Sequence, residues 1–266
     1  MANSVYISIN ITPEQLQFMK WLDEYEIEIF SLEKIEDQLN KKIPDLNEIL
    51  ENLVHKEVLS RIERGKFCKT NFRNEKVIGT FIAKESAVAY WSALNLHGLT
   101  EQFPNSIFIQ TTQNKENKSV FGTSYKFVKI RPSKRYGISW SGYGNLKYPI
   151  TDIEKTIVDC FDLPQHSGGY AELLRAFGKA DLSSAKLIEY CKELGNISVI
   201  RRLGFLAELL NKKGMKSFIQ FAKNHANKSY NNFDPLGQNI GEYNNEWHLR
   251  LNINYDTISS ITHQEY

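Results

Sequence analysis

Three groups of residues in this 266-residue chain have the types and spacing to do chemistry. The first is acidic: Asp152, Glu154, Asp159 and Asp162, with Lys155 among them and apolar Ile157, Val158 and Phe161 beside them. Carboxylates around a lysine suit a metal-dependent nuclease or phosphotransferase, but such sites draw their acids from converging strand ends. Here Thr151 stands where a helix would begin and Glu154 falls at its third position, the spacing of a capping box. Glu154 therefore reads as a cap or as a salt-bridge partner in the core.

The second group is basic. Residues 58–62 and 66–70 alternate as two short strands around Glu63-Arg64-Gly65, a glycine-containing hairpin. Arg61, Arg64, Lys66 and Lys69 on that hairpin are placed to reach phosphates on either side of a nucleic-acid groove. Upstream, Lys41 and Lys42 fill a turn, and Asn47, Asn52 and Lys56 follow on or just after a helix. Asparagine amides pair with adenine edges and lysines hold phosphates. Glu48 and Glu51 on the same helix oppose this, since a phosphate backbone repels them unless they face bases or point away.

The third group lies further on. Residues 125–131 alternate aromatic or aliphatic with basic side chains, which predicts a strand with one core face and one ladder of Lys126, Lys129 and Arg131. Lys134 and Arg135 continue it. The ladder is either an exposed sheet face kept soluble or a polyanion surface. Arg201 and Arg202 either bind an acid within the domain or join that surface, an internal salt bridge being expected for at least one.

These residues need elements to hold them. Thr12-Pro13-Glu14 opens a helix with a capping hydroxyl, a first-position proline and a first-turn acid, and Leu16, Met19 and Leu22 recur after it. Ser31 is expected to cap a second helix with the stripe Leu32, Ile35 and Leu39. Asp45 caps a third, with the stripe Leu46, Ile49, Leu50, Leu53 and Val54. Three short helices and a hairpin predict a winged helix-turn-helix domain over residues 1–79, with 72–80 as a polar connection. Residues 83–96 read as one helix closed by Gly98. Strands follow near 107–110, 125–130, 135–140 and 146–150. Helices are expected from 151, over 170–177, from Ser183 or Ser184 to 194, over 197–210 and over 216–223. A last strand at 247–254 is expected to dock on the sheet. The fold class is α+β: the winged domain, then a larger mixed α/β domain over 80–256 with a small sheet and a C-terminal helical bundle. Residues 257–266 read as a disordered tail.

Composition narrows the function. No run approaches the roughly 20 apolar residues that span a bilayer, and residues 1–14 carry no secretory pattern. The cysteines, Cys68, Cys160 and Cys191, are far apart and give no zinc spacing, which suits a reducing cytosol. No metal or cofactor is expected. The overall charge of +2 hides a partition: residues 1–55 carry four basic and eleven acidic side chains, residues 56–76 seven and three, residues 80–150 nine and three. A basic belt beside an acidic start is either a polyanion footprint or a solvated face balanced elsewhere.

Four stretches, in order, carry a family resemblance. They are Ser92-Ala93-Leu94-Asn95-Leu96-His97-Gly98-Leu99-Thr100-Glu101-Gln102; Ile150-Thr151-Asp152-Ile153-Glu154-Lys155-Thr156-Ile157-Val158-Asp159; Pro164 with Gly168-Gly169; and Arg201-Arg202-Leu203-Gly204-Phe205-Leu206. Together they resemble the AbiEi-type antitoxins of type IV, abortive-infection toxin–antitoxin systems. Arg64-Gly65-Lys66-Phe67 is similar to the arginine-glycine-x-aromatic wing of that family. The resemblance covers about residues 30–254 and departs at Lys56-Glu57-Val58, where the family often has glycine before the first wing strand. It implies a bacterial winged helix that binds inverted repeats in the promoter of its own operon and represses it. It also implies a C-terminal domain that counteracts a nucleotidyltransferase-like toxin without a stable complex. The expectation is a cytoplasmic, non-enzymatic phage-defence antitoxin and transcriptional repressor, acting on double-stranded DNA, with room for a dimer on the DNA and no membrane partner. The alternative is an interaction module whose winged helix pairs subunits and whose basic strand face binds RNA. An enzyme ranks third, with no nucleophile arrangement or phosphate-cradling glycine loop to support it.

Overall fold

The structure, a computed structural model, describes residues 10–225 and 229–263. The expectations for residues 1–9 and for 264–266 lie outside them. The chain forms two compact units. The first runs to Ile82 and includes Gly142–Lys147; the second holds the remainder. The fold class is α+β.

The first unit contains α1 (Pro13–Glu24), β1 (Ile29–Ser31), α2 (Ile35–Leu39), α3 (Leu46–His55), β2 (Leu59–Glu63), β3 (Lys66–Lys69) and α4 (Glu75–Ile82). Its antiparallel sheet has the order β1-β3-β2. This succession is that of a winged helix, with β2 and β3 as the wing. The Thr12 hydroxyl accepts from the Gln15 backbone at 3.3 Å while the Gln15 side chain accepts from the Thr12 backbone at 3.2 Å, a reciprocal cap for α1. The cap draws Gln15 inward, so the buried face is Gln15, Phe18 and Leu22, whereas Leu16 is exposed. Ser31 caps no helix: Phe30 is fully buried in a strand, between Phe18 at 5.9 Å and Phe67 at 5.8 Å. That aromatic stack pulls the residue before Ser31 into the sheet, and α2 starts four residues later than Ser31. The expected polar connection is largely α4, whose first turn is capped by the Asn74 side chain at 3.0 Å and which buries Val77, Ile78 and Ile82.

The second unit begins with β4 (Ser86–Val88), α5 (Tyr90–Leu96), β5 (Ile107–Thr111), β6 (Lys118–Val120), β7 (Thr123–Lys129), β8 (Ile138–Ser141) and β9 (Tyr148–Thr151). Its mixed sheet has the order β6-β7-β5-β4-β9-β8, with β5 parallel to β7 and β4 parallel to β9. Helices α6 (Ile153–Asp162), α7 (Tyr170–Lys179), α8 (Ser184–Leu194), α9 (Ile197–Leu209) and α10 (Lys216–Asn224) follow. The chain closes with β10 (Asn231–Asn232), β11 (Glu242–Asn244), β12 (Leu249–Leu251) and α11 (Tyr255–His263). Three expectations are corrected. Residues 83–96 are not one helix: Ser86-Ala87-Val88 is a buried strand, and Tyr90 turns the chain at φ +53°, a conformation that no sequence period announces. The last strand does not join the large sheet but forms a second one, β10-β12-β11. The tail is not disordered as far as His263, because α11 buries Ile258 and sets Thr262 against Gly178 of α7.

At the centre of this unit, α6 carries the acids noted above. Asp152, not Thr151, caps it, accepting from the Lys155 backbone at 2.9 Å. Thr151 is instead the end of β9, with its hydroxyl 2.7 Å from that of Thr156. Lys155 has no exposed surface; its ammonium pairs with Asp159 one turn on and lies 4.4 Å from the Tyr136 ring centroid. Glu154 accepts from the Ser183 backbone at 2.8 Å and pairs with Lys186 at 3.3 Å, joining α6 to α8. Asp162 takes Lys134 at 3.0 Å and the Asn196 amide at 2.8 Å. Asp152 shares Lys186 with Glu154, at 3.1 Å, so each acid of the group is engaged by a structural partner.

Three outcomes follow. In α9, a Cβ on Gly204 would stand 2.4 Å from the Trp247 ring and 2.6 Å from Ala222, both buried. Gly204→Ala should destabilise by about 2–3 kcal/mol in urea unfolding; a stability gain, as at an open helical glycine, would contradict the packing. Burial, partly offset by Lys155, raises the Asp159 carboxyl from its usual value to about 6. The folded chain therefore holds this proton more tightly than the unfolded chain, so its contribution to stability is present below pH ~4 and is lost as pH rises to ~6. Asp159→Asn should remove that part of the pH dependence of the unfolding midpoint. Lys155→Met, which leaves the carboxylate alone in the core, should cost about 3–5 kcal/mol, largely restored in the double variant.

Candidate nucleic-acid interface

The wing is short and tied to α3. Gly65 turns the hairpin, and its carbonyl accepts from the Leu32 backbone at 2.8 Å. A register shift between Arg61 and Glu63 loosens the ladder beside it. Arg61 lies 5.5 Å from the Phe67 ring centroid and pairs with Glu51 of α3, so the wing and the helix share a cation and an anion. Between them lies a groove of about 870 Å³ whose walls include Asn47, Glu51, Arg61, Arg64, Lys66 and Phe67. Asn47 and Arg64 are exposed, and the Arg64 side chain contacts no charged or polar partner among the described residues. Just before β2, Glu57 takes φ +59°, the left-handed conformation that favours glycine.

The other expected DNA contacts sit elsewhere or are already engaged. Lys66 pairs with Glu63 at 2.9 Å and also donates to the Ile82 carbonyl. Lys69 is held by Asp23 at 2.7 Å and Glu28 at 3.1 Å, at the end of α1 and the start of β1. Lys56 donates to the Gln15 amide oxygen at 2.8 Å and to the Asn10 carbonyl at 2.6 Å. Lys41 lies 5.3 Å from the Trp21 ring centroid. Lys42 pairs with Glu36 at 3.0 Å, and a backbone donation from Ile43 together with Lys42 holds the Glu36 carboxyl below its usual range. Asn52 is half-buried in a different cleft, with Trp21 and Thr12. Of the nine residues expected to contact DNA, Asn47, Arg61, Arg64 and Lys66 share the groove. The partner that sequence reasoning missed is Glu51, ten residues from Arg61 and brought to it by the turn of the chain.

The expected basic ladder does not exist as one face. Residues three apart on a strand point to opposite sides. Lys126 stands opposite Phe108 in register, its ammonium 5.2 Å from that ring centroid, on the side where Val128 packs into the core. Lys129 is exposed on the other side, with Tyr125 and Phe127. Arg131 and Arg135 are exposed beyond the strand, and Lys134 is the partner of Asp162. Arg201 is fully buried, donating to the carbonyls of Ser229 at 2.8 Å and His248 at 3.1 Å, so it belongs to no surface. Arg202 donates to the Asn232 carbonyl at 3.1 Å. Where an internal salt bridge is expected, both arginines donate among the described residues to backbone carbonyls, which the short C-terminal strands leave to be satisfied.

Nucleophilic chemistry finds little here. All three cysteines are buried, and burial pushes the thiol of Cys68 up to about 11 and that of Cys191 up to about 12. Such thiols hold their protons at neutral pH. The His97 ring is 2.7 Å from the Thr151 carbonyl, an anchor between the end of α5 and β9. Among the described residues no helix is long and apolar enough to cross a membrane.

No protein-family model and no curated protein matches the chain. Among solved structures, the chain is similar to the RV2827C protein from Mycobacterium tuberculosis, with a TM-score of 0.63 over 99% of both chains and 13% sequence identity. At that identity the likeness is one of fold.

Proposed function

We propose that the first unit binds DNA through the groove between α3 and the wing, and that the chain is the antitoxin and autorepressor of a toxin–antitoxin pair, without catalytic activity. The observation that carries the DNA reading is the meeting of Asn47, Arg61 and Arg64 around one open groove on a winged-helix scaffold. Asn47 offers a donor and an acceptor to a base edge, and Arg64 at the wing tip offers an uncommitted guanidinium to phosphate. The Glu51–Arg61 pair is half-exposed and so weak that a phosphate competes for Arg61. Lys42, Lys66, Lys69 and Lys76 are engaged by the unit's own acids and Lys56 by Gln15 and Asn10, so each copy neutralises few phosphates, and two copies on an inverted repeat would double that number. The antitoxin role, exerted by the second unit on a nucleotidyltransferase-like toxin, is supported by the four-part sequence resemblance and follows the same division into two units.

The engagement pattern distinguishes this reading from a generic basic surface. Fluorescence anisotropy with DNA from upstream of the gene should give a salt slope of about −2 to −3 per bound copy, shallow for a DNA-binding protein. Arg61→Ala plus Arg64→Ala should weaken binding about tenfold or more, Lys69→Ala should change it less than about twofold, and Glu51→Gln should strengthen it by freeing Arg61. No binding at low salt rejects the DNA reading. Co-expression with an adjacent nucleotidyltransferase gene should restore growth; persistent arrest rejects the antitoxin role alone.

A further inference from the structure

The small C-terminal sheet carries a second groove, of about 550 Å³, that DNA binding by the first unit does not use. Its walls include Arg202, Tyr230, Asn231, Asn239, Tyr243 and Arg250, with no carboxylate among them. Arg202 is more than nine-tenths buried, 7% exposed, yet only its Nε is bonded, to the Asn232 carbonyl. Its two terminal nitrogens have no partner among the described residues. Asp234 and Asp162 act on it from beyond ion-pair distance, while buried Arg201 beside it repels it. The stem of Arg202 is buried while its unbonded fork opens on the groove, where an entering anion can take two parallel hydrogen bonds from it.

The rest of the groove indicates what kind of anion. Arg250 is braced by the Asn239 carbonyl at 2.9 Å and by the Tyr243 hydroxyl, which brings a second cation to the same walls. Tyr230 and Tyr243 meet edge to face at 4.9 Å and are 40% and 53% exposed, so aromatic surface borders the charged end. The Asn231 carbonyl oxygen accepts from the Ser198 hydroxyl at 2.9 Å, leaving its amide NH2 for a polar edge. Inorganic phosphate fills a small fraction of such a volume, whereas a mononucleotide is of the size that grooves of this class hold. We propose that this groove binds a nucleoside 5′-phosphate, with the phosphate on the terminal nitrogens of Arg202 and the base against Tyr230 and Tyr243. The proposal is independent of DNA binding, because every residue it uses lies in the second unit.

Calorimetry on the full chain tests it, with each of the four ribonucleoside 5′-monophosphates, inorganic phosphate and adenosine as separate titrants. At least one nucleotide should bind with a Kd between about 10 μM and 1 mM, at least about tenfold tighter than phosphate or adenosine. Arg202→Lys keeps the charge but loses the fork and should weaken nucleotide binding about tenfold. Tyr243→Ala, on the exposed rim, removes aromatic surface and the brace of Arg250 together and should weaken nucleotide binding about fivefold or more. The Tyr243 variant keeps the test open should the buried Arg202 variant unfold. No heat with any nucleotide, or undiminished binding in a folded Tyr243→Ala chain, overturns the proposal. Phosphate binding as tightly as the nucleotides overturns the assignment of ligand class.

Discussion

A lysine ammonium with no access to water has to be answered by an anion, and the second unit is arranged around one that is. Lys155 and Asp159 face each other one helical turn apart in the core, and neither is tolerable there alone. Everything near them keeps that pair dry and fixed. Tyr136 closes over the ammonium and donates to the Tyr190 carbonyl at 3.0 Å. Gly137 passes so close, at φ +59°, that a Cβ there would lie 2.7 Å from Lys155. Asp152, beside them, takes the Tyr190 hydroxyl at 2.8 Å. Helix α6 is thereby locked to α8 by charge and hydrogen bonds, and to β9 through Thr151 and Thr156. A segment whose composition suggests metal chemistry is spent on holding the sheet to the helices.

The same accounting of charge governs the wing. Sequence counts a belt of cations after residue 55 beside an acidic start, and the fold pairs two of its cations with acids of the start, Lys69 with Asp23 and Glu28 and Arg61 with Glu51, while Lys66 takes Glu63 within the belt and Lys42 takes Glu36 within the start. The acidic start thus supplies part of the internal counterion of the belt. Net charge by segment overstates what reaches a polyanion. What counts is the cation left without an intramolecular partner, and among the expected DNA contacts that is Arg64 at the hairpin tip.

Legibility followed range and period. The cap at Thr12, the third helix with its stripe, the hairpin at Gly65 and the helix cap at Ser183 rest on residues within four positions of each other, where local chemistry decides the backbone. Failures came where a distant contact overrode a local signal. Phe30 becomes a strand residue because Phe18 and Phe67 bracket it. Residues 86–88 become a strand because Phe108 and Ile150 lie beside them, the Ala89 backbone donating to the Phe108 carbonyl at 3.0 Å. The ladder of Lys126 and Lys129 was instead a failure of counting, since the two differ in parity and a strand sends them apart. Of the candidate sites, the hairpin cations could be read from spacing; the Glu51 partnership and the C-terminal groove could not, as both join segments far apart in the chain.

Arg201 and Arg202 show how far adjacent identical residues can diverge. Successive positions on a helix are rotated by about 100°, so two side chains side by side in sequence face different neighbours. From α9, Arg201 turns to the carbonyls of Ser229 and His248, and nothing of it meets solvent. Arg202 reaches Asn232 with one nitrogen only and delivers the remainder to a groove without acids. The first is spent wholly inside the fold, on backbone carbonyls. The second keeps its fork at a groove whose walls offer no acid, so an entering anion is the partner that would complete it.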